Sequence, residues 1–262
     1  MNLDDAIRHT PKPRTAQPAL PLGHIGSARS FEKIVADGHL MPRECPVFNR
    51  NVLYVFYGGL FYRPGLPLTE NATEMPVGYL FRAASARHVV RYYPFDTGAL
   101  SGELYGSWGA KLRPFKRRFA VQARQNSGAD IVHALFTTND RYLRGYPRKL
   151  AVSPAPVPLL LRFLNDDLSG AGVDRRQYAI EGHVHRSLPL DLLEWVGFPS
   201  RLWLHFDRLC RQIGRRPKHY AYAEERRFSP DQIAHDLEQR ARAVLSLTYP
   251  GAMMKGNRDV RL

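Results

Sequence analysis

Cysteine is scarce. Cys45 and Cys210 are the only two in 262 residues, too few for a disulfide framework and without the second pair a zinc site needs. Two plain thiols suit a reducing cytoplasm, which is the expected location. Long apolar runs are absent as well: none approaches the ~18 residues of a membrane span, and residues 1–19 contain no apolar core of a secretory signal. The expectation is therefore a protein without a membrane partner. Several catalytic signatures are missing. No Gly-x-Ser-x-Gly elbow occurs, Gly58-Gly59 is followed by no Lys-Ser or Lys-Thr of a phosphate loop, and neither cysteine lies in a thiol-protease motif.

Acidic residues are short in number, with 24 Asp and Glu against 38 Lys and Arg, a formal charge of +14 and an isoelectric point near 10.1. An excess of this size favours a polyanionic partner such as nucleic acid. It is unevenly spread. Residues 111–150 hold ten basic and two acidic side chains, and residues 201–227 hold eight and three. With 44% hydrophobic and 24% charged residues, the chain has the material for a packed core. Twenty glycines and twenty prolines imply many turns between short elements.

The pattern is α+β. Residues 1–20, with Pro11, Pro13 and Pro18, read as a flexible tail, and 21–262 as one domain with a basic insertion around 111–150. A first strand is expected near His24 and Ile25. Ser30, Phe31, Ile34 and Val35 have the spacing of an amphipathic helix that Gly38 would stop. Val52–Tyr57, Val77–Phe81 and Val89–Phe95 read as strands, the last closed by a turn at Asp96-Thr97-Gly98. Val157–Leu164 fits either a helix or an edge strand. Ser229-Pro230 followed by Gln232 is a helix start, with Ile233, Leu237, Val244 and Leu245 as the apolar stripe of a C-terminal helix around 230–246.

The most informative stretch is Asp174–Val184, read as a strand. Alternation puts Tyr178, Ile180 and Val184 on one face and Ala179, Glu181 and His183 on the other. A carboxylate inside an apolar strand is costly unless it is paired or used, which makes Glu181 the candidate for chemistry. The plainer reading is a salt bridge from Glu181 to Arg175 or Arg176 on an exposed strand face. His183 and His185 are two apart but have no third ligand nearby in sequence, so no metal is expected.

Three separated segments can be taken together. They are Gly23-His24-Ile25 with Ile34 and Gly38-His39-Leu40; the aromatic run Leu53–Tyr57 leading to Tyr62-Arg63-Pro64; and Arg175-Arg176-Gln177 with Glu181 and Leu188-Pro189. In this order they resemble the ADP-ribosyltransferase superfamily, nearest to its DarT-like DNA-modifying branch. The resemblance spans roughly residues 22–195. It departs from the branch at Gly23, where a Thr is usual, at Ser27 and Ala28, where an Asn would stand, and in the three residues separating Gln177 from Glu181.

The resemblance implies a split antiparallel β-core with flanking short helices, an enzyme of the glycosyltransferase class, and NAD as substrate. It implies Glu181 as the catalytic residue, with His24, Ser27, Tyr57, Tyr62 and Arg63 binding NAD and Arg50 a second candidate for the pyrophosphate. The chemistry needs such groups. Cleaving the nicotinamide–ribose bond develops positive charge, which a carboxylate stabilises. An imidazole orients the ribose or the adenosine side of NAD, aromatics stack on nicotinamide, and an Arg holds the pyrophosphate. Arginine-modifying members carry a second Glu two positions before the catalytic one. Ala179 stands there, which argues against arginine as acceptor. Lys116, Arg117, Arg118, Arg144 and Arg148, interleaved with Phe115, Phe119, Tyr142 and Tyr146, are then candidates for binding DNA or RNA. At family level the resemblance implies a toxin or phage-defence setting, and with it a cognate antitoxin or inhibitor. Two other readings fit the same residues: a nucleic-acid-binding protein without NAD chemistry, and an NAD hydrolase with water as acceptor.

Overall fold

The computed structural model describes residues 2–11, 17–61, 71–149, 157–166, 175–223 and 228–250. It is a mixed α+β fold with a central sheet and flanking helices. One unit is expected over 21–262. The chain instead folds as two compact units: residues 21–91 with 181–244, and residues 1–20 with 92–180 and 245–262.

The first of these is built on a sheet. Its main strands are β1 (Leu22–Ser27), β2 (Arg50–Tyr57), β3 (Pro76–Phe81), β4 (Glu181–Val184), β5 (Leu193–Pro199) and β6 (Lys218–Tyr222), in spatial order β6-β5-β3-β1-β2-β4. All neighbours are antiparallel except β5 and β6. β1 pairs with β3 along six residues, from Leu22 opposite Phe81 to Ser27 opposite Pro76. With β2 it shares only two pairs, Leu22 opposite Tyr57 and Gly23 opposite Phe56. The two central strands therefore part company directly after Gly23. At that junction only glycine fits, because a Cβ on residue 23 would lie 1.9 Å from the Gly59 carbonyl oxygen.

Helices cover the sheet because their stripes are apolar. In α1 (Ala28–Asp37) the buried residues Phe31, Ile34 and Val35 repeat at helical spacing, and the chain leaves the helix through Gly38 at φ 72°. Phe31 stacks on Phe198 of β5 at 5.9 Å, and Phe206 of α2 (Trp203–Ile213) lies 4.8 Å from the same ring. Burying a ring such as Phe31 is worth about 1.5–3 kcal/mol. The helix α3 (Pro230–Thr248) opens with the expected reciprocal cap: Ser229 N–H donates to Gln232 Oε1 at 2.7 Å, and Gln232 N–H to Ser229 Oγ at 3.2 Å.

The second unit is mostly short helices: Leu3–His9, Thr97–Ser101, Ser107–Leu112, Ser127–Phe136, Asn139–Leu143 and Val157–Asn165, with 3₁₀ turns at Arg113–Phe119 and Arg175–Tyr178. Its core is aromatic. Phe95 meets Phe119 edge-on at 5.4 Å, and Tyr105 meets Phe163 at 4.9 Å.

Two expectations about local structure are corrected here. Residues 3–9, read as part of a loose tail, are helical because Asn2 and Asp5 form a capping box. The strand expected over 174–184 is only Glu181–Val184, since Arg175–Tyr178 turns as a 3₁₀ helix. Val157–Leu164 is resolved as helix, where Pro158 in the first turn forfeits no intrahelical hydrogen bond. Asp96 is indeed a cap, its Oδ1 accepting from Ala99 N–H at 2.8 Å.

Candidate active site

Glu181 is the first residue of β4 and is 1% exposed. The plainer reading, an ion pair on an exposed strand face, is therefore wrong about exposure. Its carboxylate Oε1 lies 2.6 Å from His183 Nε2, and His183 is itself fully buried. Period-2 alternation puts both side chains on one face of β4. The ladder with β2 sets Tyr54 opposite His183 and Phe56 opposite Glu181, so these four side chains share a face. Tyr54 meets the His183 ring edge-on at 5.2 Å, and Phe48 meets it at 4.6 Å. Tyr54 is held in turn, its hydroxyl 2.5 Å from Cys45 Sγ. The carboxylate is thus fixed by an imidazole that two aromatic rings hold in place.

His24 approaches from the other side of the junction. It stands opposite Tyr79 on β1, on the reverse face from Gly23 and Phe56. Where β1 has left β2, the Tyr54 carbonyl receives His24 Nδ1 at 2.8 Å. Tyr54 is therefore shared, its carbonyl engaged by His24 and its ring by His183. Burial pushes the His24 imidazole down to about 4; the bond to Tyr54 opposes this and the Arg43 guanidinium adds to it. His24 is thus neutral at pH 7. Tyr79 is fully buried, its hydroxyl has no hydrogen-bond partner among the described residues, and burial pushes its ionisation well above the ordinary tyrosine range. Gly26 lies under these groups, with His24 Nε2, Ser30 Oγ and Tyr79 Cε2 each 3.6 Å from where its Cβ would be.

The other candidates are placed as follows. Ser27 is the cap residue of α1 but makes no side-chain cap bond, and its carbonyl accepts from Ser30 Oγ at 2.8 Å. Tyr57 is buried on the face of β2 opposite to Glu181. Tyr62 and Arg63 lie outside the described residues. Arg50 begins β2, with its guanidinium 5.8 Å from the Phe48 ring centroid. Burial lowers the His185 imidazole first, and Arg50, His183 and Arg91 lower it further. Among the described residues no group of three or more metal-ligating side chains comes together.

In the helical unit, Lys116, Arg117 and Arg118 all lie on the Arg113–Phe119 turn, where Arg118 is 5.8 Å from the Phe115 ring and Lys111 is 4.6 Å from the Trp108 ring. Arg144 pairs with Asp140 at 3.0 Å, and Arg148 Nε donates to Thr137 Oγ1 at 3.1 Å.

Reading the chain alone missed Phe48, Tyr54, Tyr79 and Arg43 as neighbours of the site. The one signal available was the i, i+2 spacing of Glu181 and His183, since the rest depends on strand register.

No protein-family model matches the chain, and no curated protein matches it. Among solved structures, the Thermus sp. 2.9 DarT in complex with NAD+ is similar at 12% identity and a TM-score of 0.42, covering 79% of this chain and 98% of that one. The same protein in complex with ADP-ribosylated ssDNA matches at 12% and 0.42, covering 79% and 97%. In complex with carba-NAD+ it matches at 12% and 0.38, covering 80% and 97%. A superposition at this level defines no fold family. No helix among the described residues is long and apolar enough to cross a membrane.

Proposed function

We propose that the chain is an NAD-dependent ADP-ribosyltransferase whose acceptor is a nucleic acid. The observation that carries the reading is Glu181, a buried carboxylate fixed at 2.6 Å by His183 on the strand beside the β1–β2 junction. It joins the ordered resemblance of the His24, aromatic and Glu181 segments to a site that can perform the chemistry.

In the reaction, the bond between nicotinamide nitrogen and ribose C1′ breaks and nicotinamide leaves with the electron pair. Positive charge develops on the ribose. Glu181 accepts the ribose 2′-hydroxyl and opposes that charge, an effect that grows where water is excluded. His183 holds one carboxylate oxygen in place, so little reorganisation is needed as charge appears. By resemblance the neutral His24, on the face reverse to Glu181, hydrogen-bonds the adenosine side of NAD, and Ser27 and Arg50 serve its hydroxyl and pyrophosphate groups. Tyr57, Tyr62 and Arg63 remain assigned to the NAD pocket by resemblance. A nucleophilic nitrogen or oxygen of the acceptor then bonds C1′ and loses its proton. Ala179 at the position of the second Glu, together with the basic turn carrying Lys116, Arg117 and Arg118, favours a nucleic acid over an arginine side chain. Arg144 and Arg148 would extend that contact.

The test is purified protein with labelled NAD and, in parallel, single-stranded DNA, duplex DNA, RNA and no acceptor. The expected result is nicotinamide release with label on a nucleic acid, abolished in Glu181→Gln. Release with no labelled acceptor would make the protein an NAD hydrolase. Neither release nor NAD binding would sink the reading.

A further inference from the structure

On the far side of the sheet from the β1–β2 junction, the outermost strand β6 and helix α3 enclose a cavity of about 470 Å³. Alternation along β6 puts Lys218, Tyr220 and Tyr222 on one face. From α3, Asp236 and Arg240 face the same space, and Phe228 stands at its mouth with 45% of its surface exposed. The Arg240 guanidinium lies 4.5 Å over the Tyr220 ring, and Arg240 Nε is 3.5 Å from Asp236 Oδ1. The Tyr222 hydroxyl donates to the Pro76 carbonyl at 2.6 Å, which fixes that ring as a rigid floor.

We propose that this cavity binds a nucleobase of a single-stranded nucleic acid. A base needs a flat π-surface and hydrogen-bonding groups at its edge, and both are here. The Arg240 guanidinium occupies one face of Tyr220 at 4.5 Å, so a base stacks there by taking its place, and Phe228 offers a second aromatic surface at the entrance. The Asp236 carboxylate can accept from the exocyclic amino group of adenine, cytosine or guanine. Paired with Arg240 it adds no net charge to the described lining of the cavity. The neutral part of a polyanion therefore enters and the phosphates stay outside. Lys218 lies two positions from Tyr220 on the same strand face, roughly 7 Å along β6, within reach of the phosphate attached to a stacked base. A volume of this size holds a nucleoside with room to spare. The chain's charge of +14 supplies the long-range attraction.

Binding at this site is independent of NAD chemistry, so it is measured without NAD and its outcome does not bear on Glu181. The probes are fluorescein-labelled 15-mers of dA, dT and an abasic strand, followed by anisotropy between 50 and 200 mM salt. Phe228→Ala, at the exposed mouth, should weaken dA binding roughly fivefold or more while leaving the salt slope and the melting temperature unchanged. It should not alter binding of the abasic strand. Tyr220→Leu should in addition abolish the quenching of a 2-aminopurine placed in the strand. Equal binding of dA by wild type and Phe228→Ala would overturn the proposal, as would equal losses for dA and abasic strands. AMP binding more tightly than the dA strand would identify a free-nucleotide site and overturn the assignment to a strand.

Discussion

Among the described residues two acid–base pairs have both side chains buried, one in each unit, and they differ in what they hold together. In the helical unit Arg176 meets Asp96 at 3.1 Å with both side chains nearly excluded from solvent. That pair ties segments 80 positions apart, and backbone groups reinforce it. Asp96 caps the helix that follows, and the Tyr105 hydroxyl bridges the carbonyls of Asp96 and Arg176 at 3.2 and 3.3 Å. In the sheet unit Glu181 and His183 are two residues apart on one strand. Their bond closes no long loop and joins no separate elements. Taking a carboxylate out of water costs several kcal/mol in either place, about the same size as the attraction that offsets it. For Asp96 the architecture explains the burial. Glu181 is paired with an imidazole of its own strand, and a buried carboxylate held beside a histidine is a place to seek chemistry.

Breaking the first pair should give the largest effect. Asp96→Ala removes a cap and leaves Arg176 buried without this carboxylate, so urea unfolding should show a loss of about 3–5 kcal/mol. A loss under about 1 kcal/mol would mean that the pair behaves like a surface ion pair and that the contrast is false. Next comes Glu181→Gln, which keeps the shape and the acceptor for His183 but removes the charge. Nicotinamide release should fall roughly 100- to 1000-fold, with the unfolding midpoint close to wild type. A variant as active as wild type would remove Glu181 from the chemistry. A variant that is destabilised as much as Asp96→Ala would make the second pair structural like the first.

The contrast was half legible in the chain. Alternation placed Glu181 and His183 on one face, and that is how they are found. Local signals also served well: Val52–Tyr57 and Val77–Phe81 are strands, Gly38 ends α1, and Ser229 with Gln232 caps α3. What failed was range. The 174–184 run has strand-like alternation, yet Arg175–Tyr178 coils because tertiary contacts outweigh β-propensity. Gln177, for example, donates to the Asp166 carbonyl at 3.2 Å, and the Tyr142 hydroxyl accepts from Ile180 N–H at 3.2 Å. Phe48 and Tyr54 could not be assigned to His183 without knowing that β2 lies beside β4 in this register. The helix at Leu3–His9 is signalled by the Asn2 and Asp5 capping box, which outweighs the nearby prolines.

A pH titration sharpens the contrast at His24, a half-buried residue with no carboxylate partner among the described residues. Its folded pKa lies near 4, below the ordinary 6.5, because burial disfavours the charged ring. Between those values the unfolded chain binds the proton and the fold does not. Stability is therefore full above pH 6.5 and falls as pH drops toward 4, by about 3 kcal/mol for a shift of this size. The Arg43 guanidinium adds to the lowering. His24→Gln keeps a donor for the Tyr54 carbonyl and should flatten that part of the acid limb in denaturant titrations at pH 4, 5, 6 and 7. An unchanged slope would mean that the imidazole is better solvated than its surroundings imply.

The smallest effect on stability is expected from the surface charges of one basic turn. Arg117 and Arg118 are exposed and share one 3₁₀ turn with Lys116. Replacing all three with Gln should move unfolding by no more than about 0.5 kcal/mol per site. It should still change nucleic-acid binding, because each phosphate neutralised releases counterions. If the three contact phosphates of a single strand, the slope of log K against log salt should become shallower by about 2, at ~0.7 per contact. Anisotropy of a labelled 15-mer between 50 and 200 mM salt measures this. An unchanged slope would place the polyanion elsewhere on the molecule. A slope that flattens while NAD turnover without acceptor stays the same would separate the proposed strand contact on the basic turn from the proposed site at Glu181 and His183.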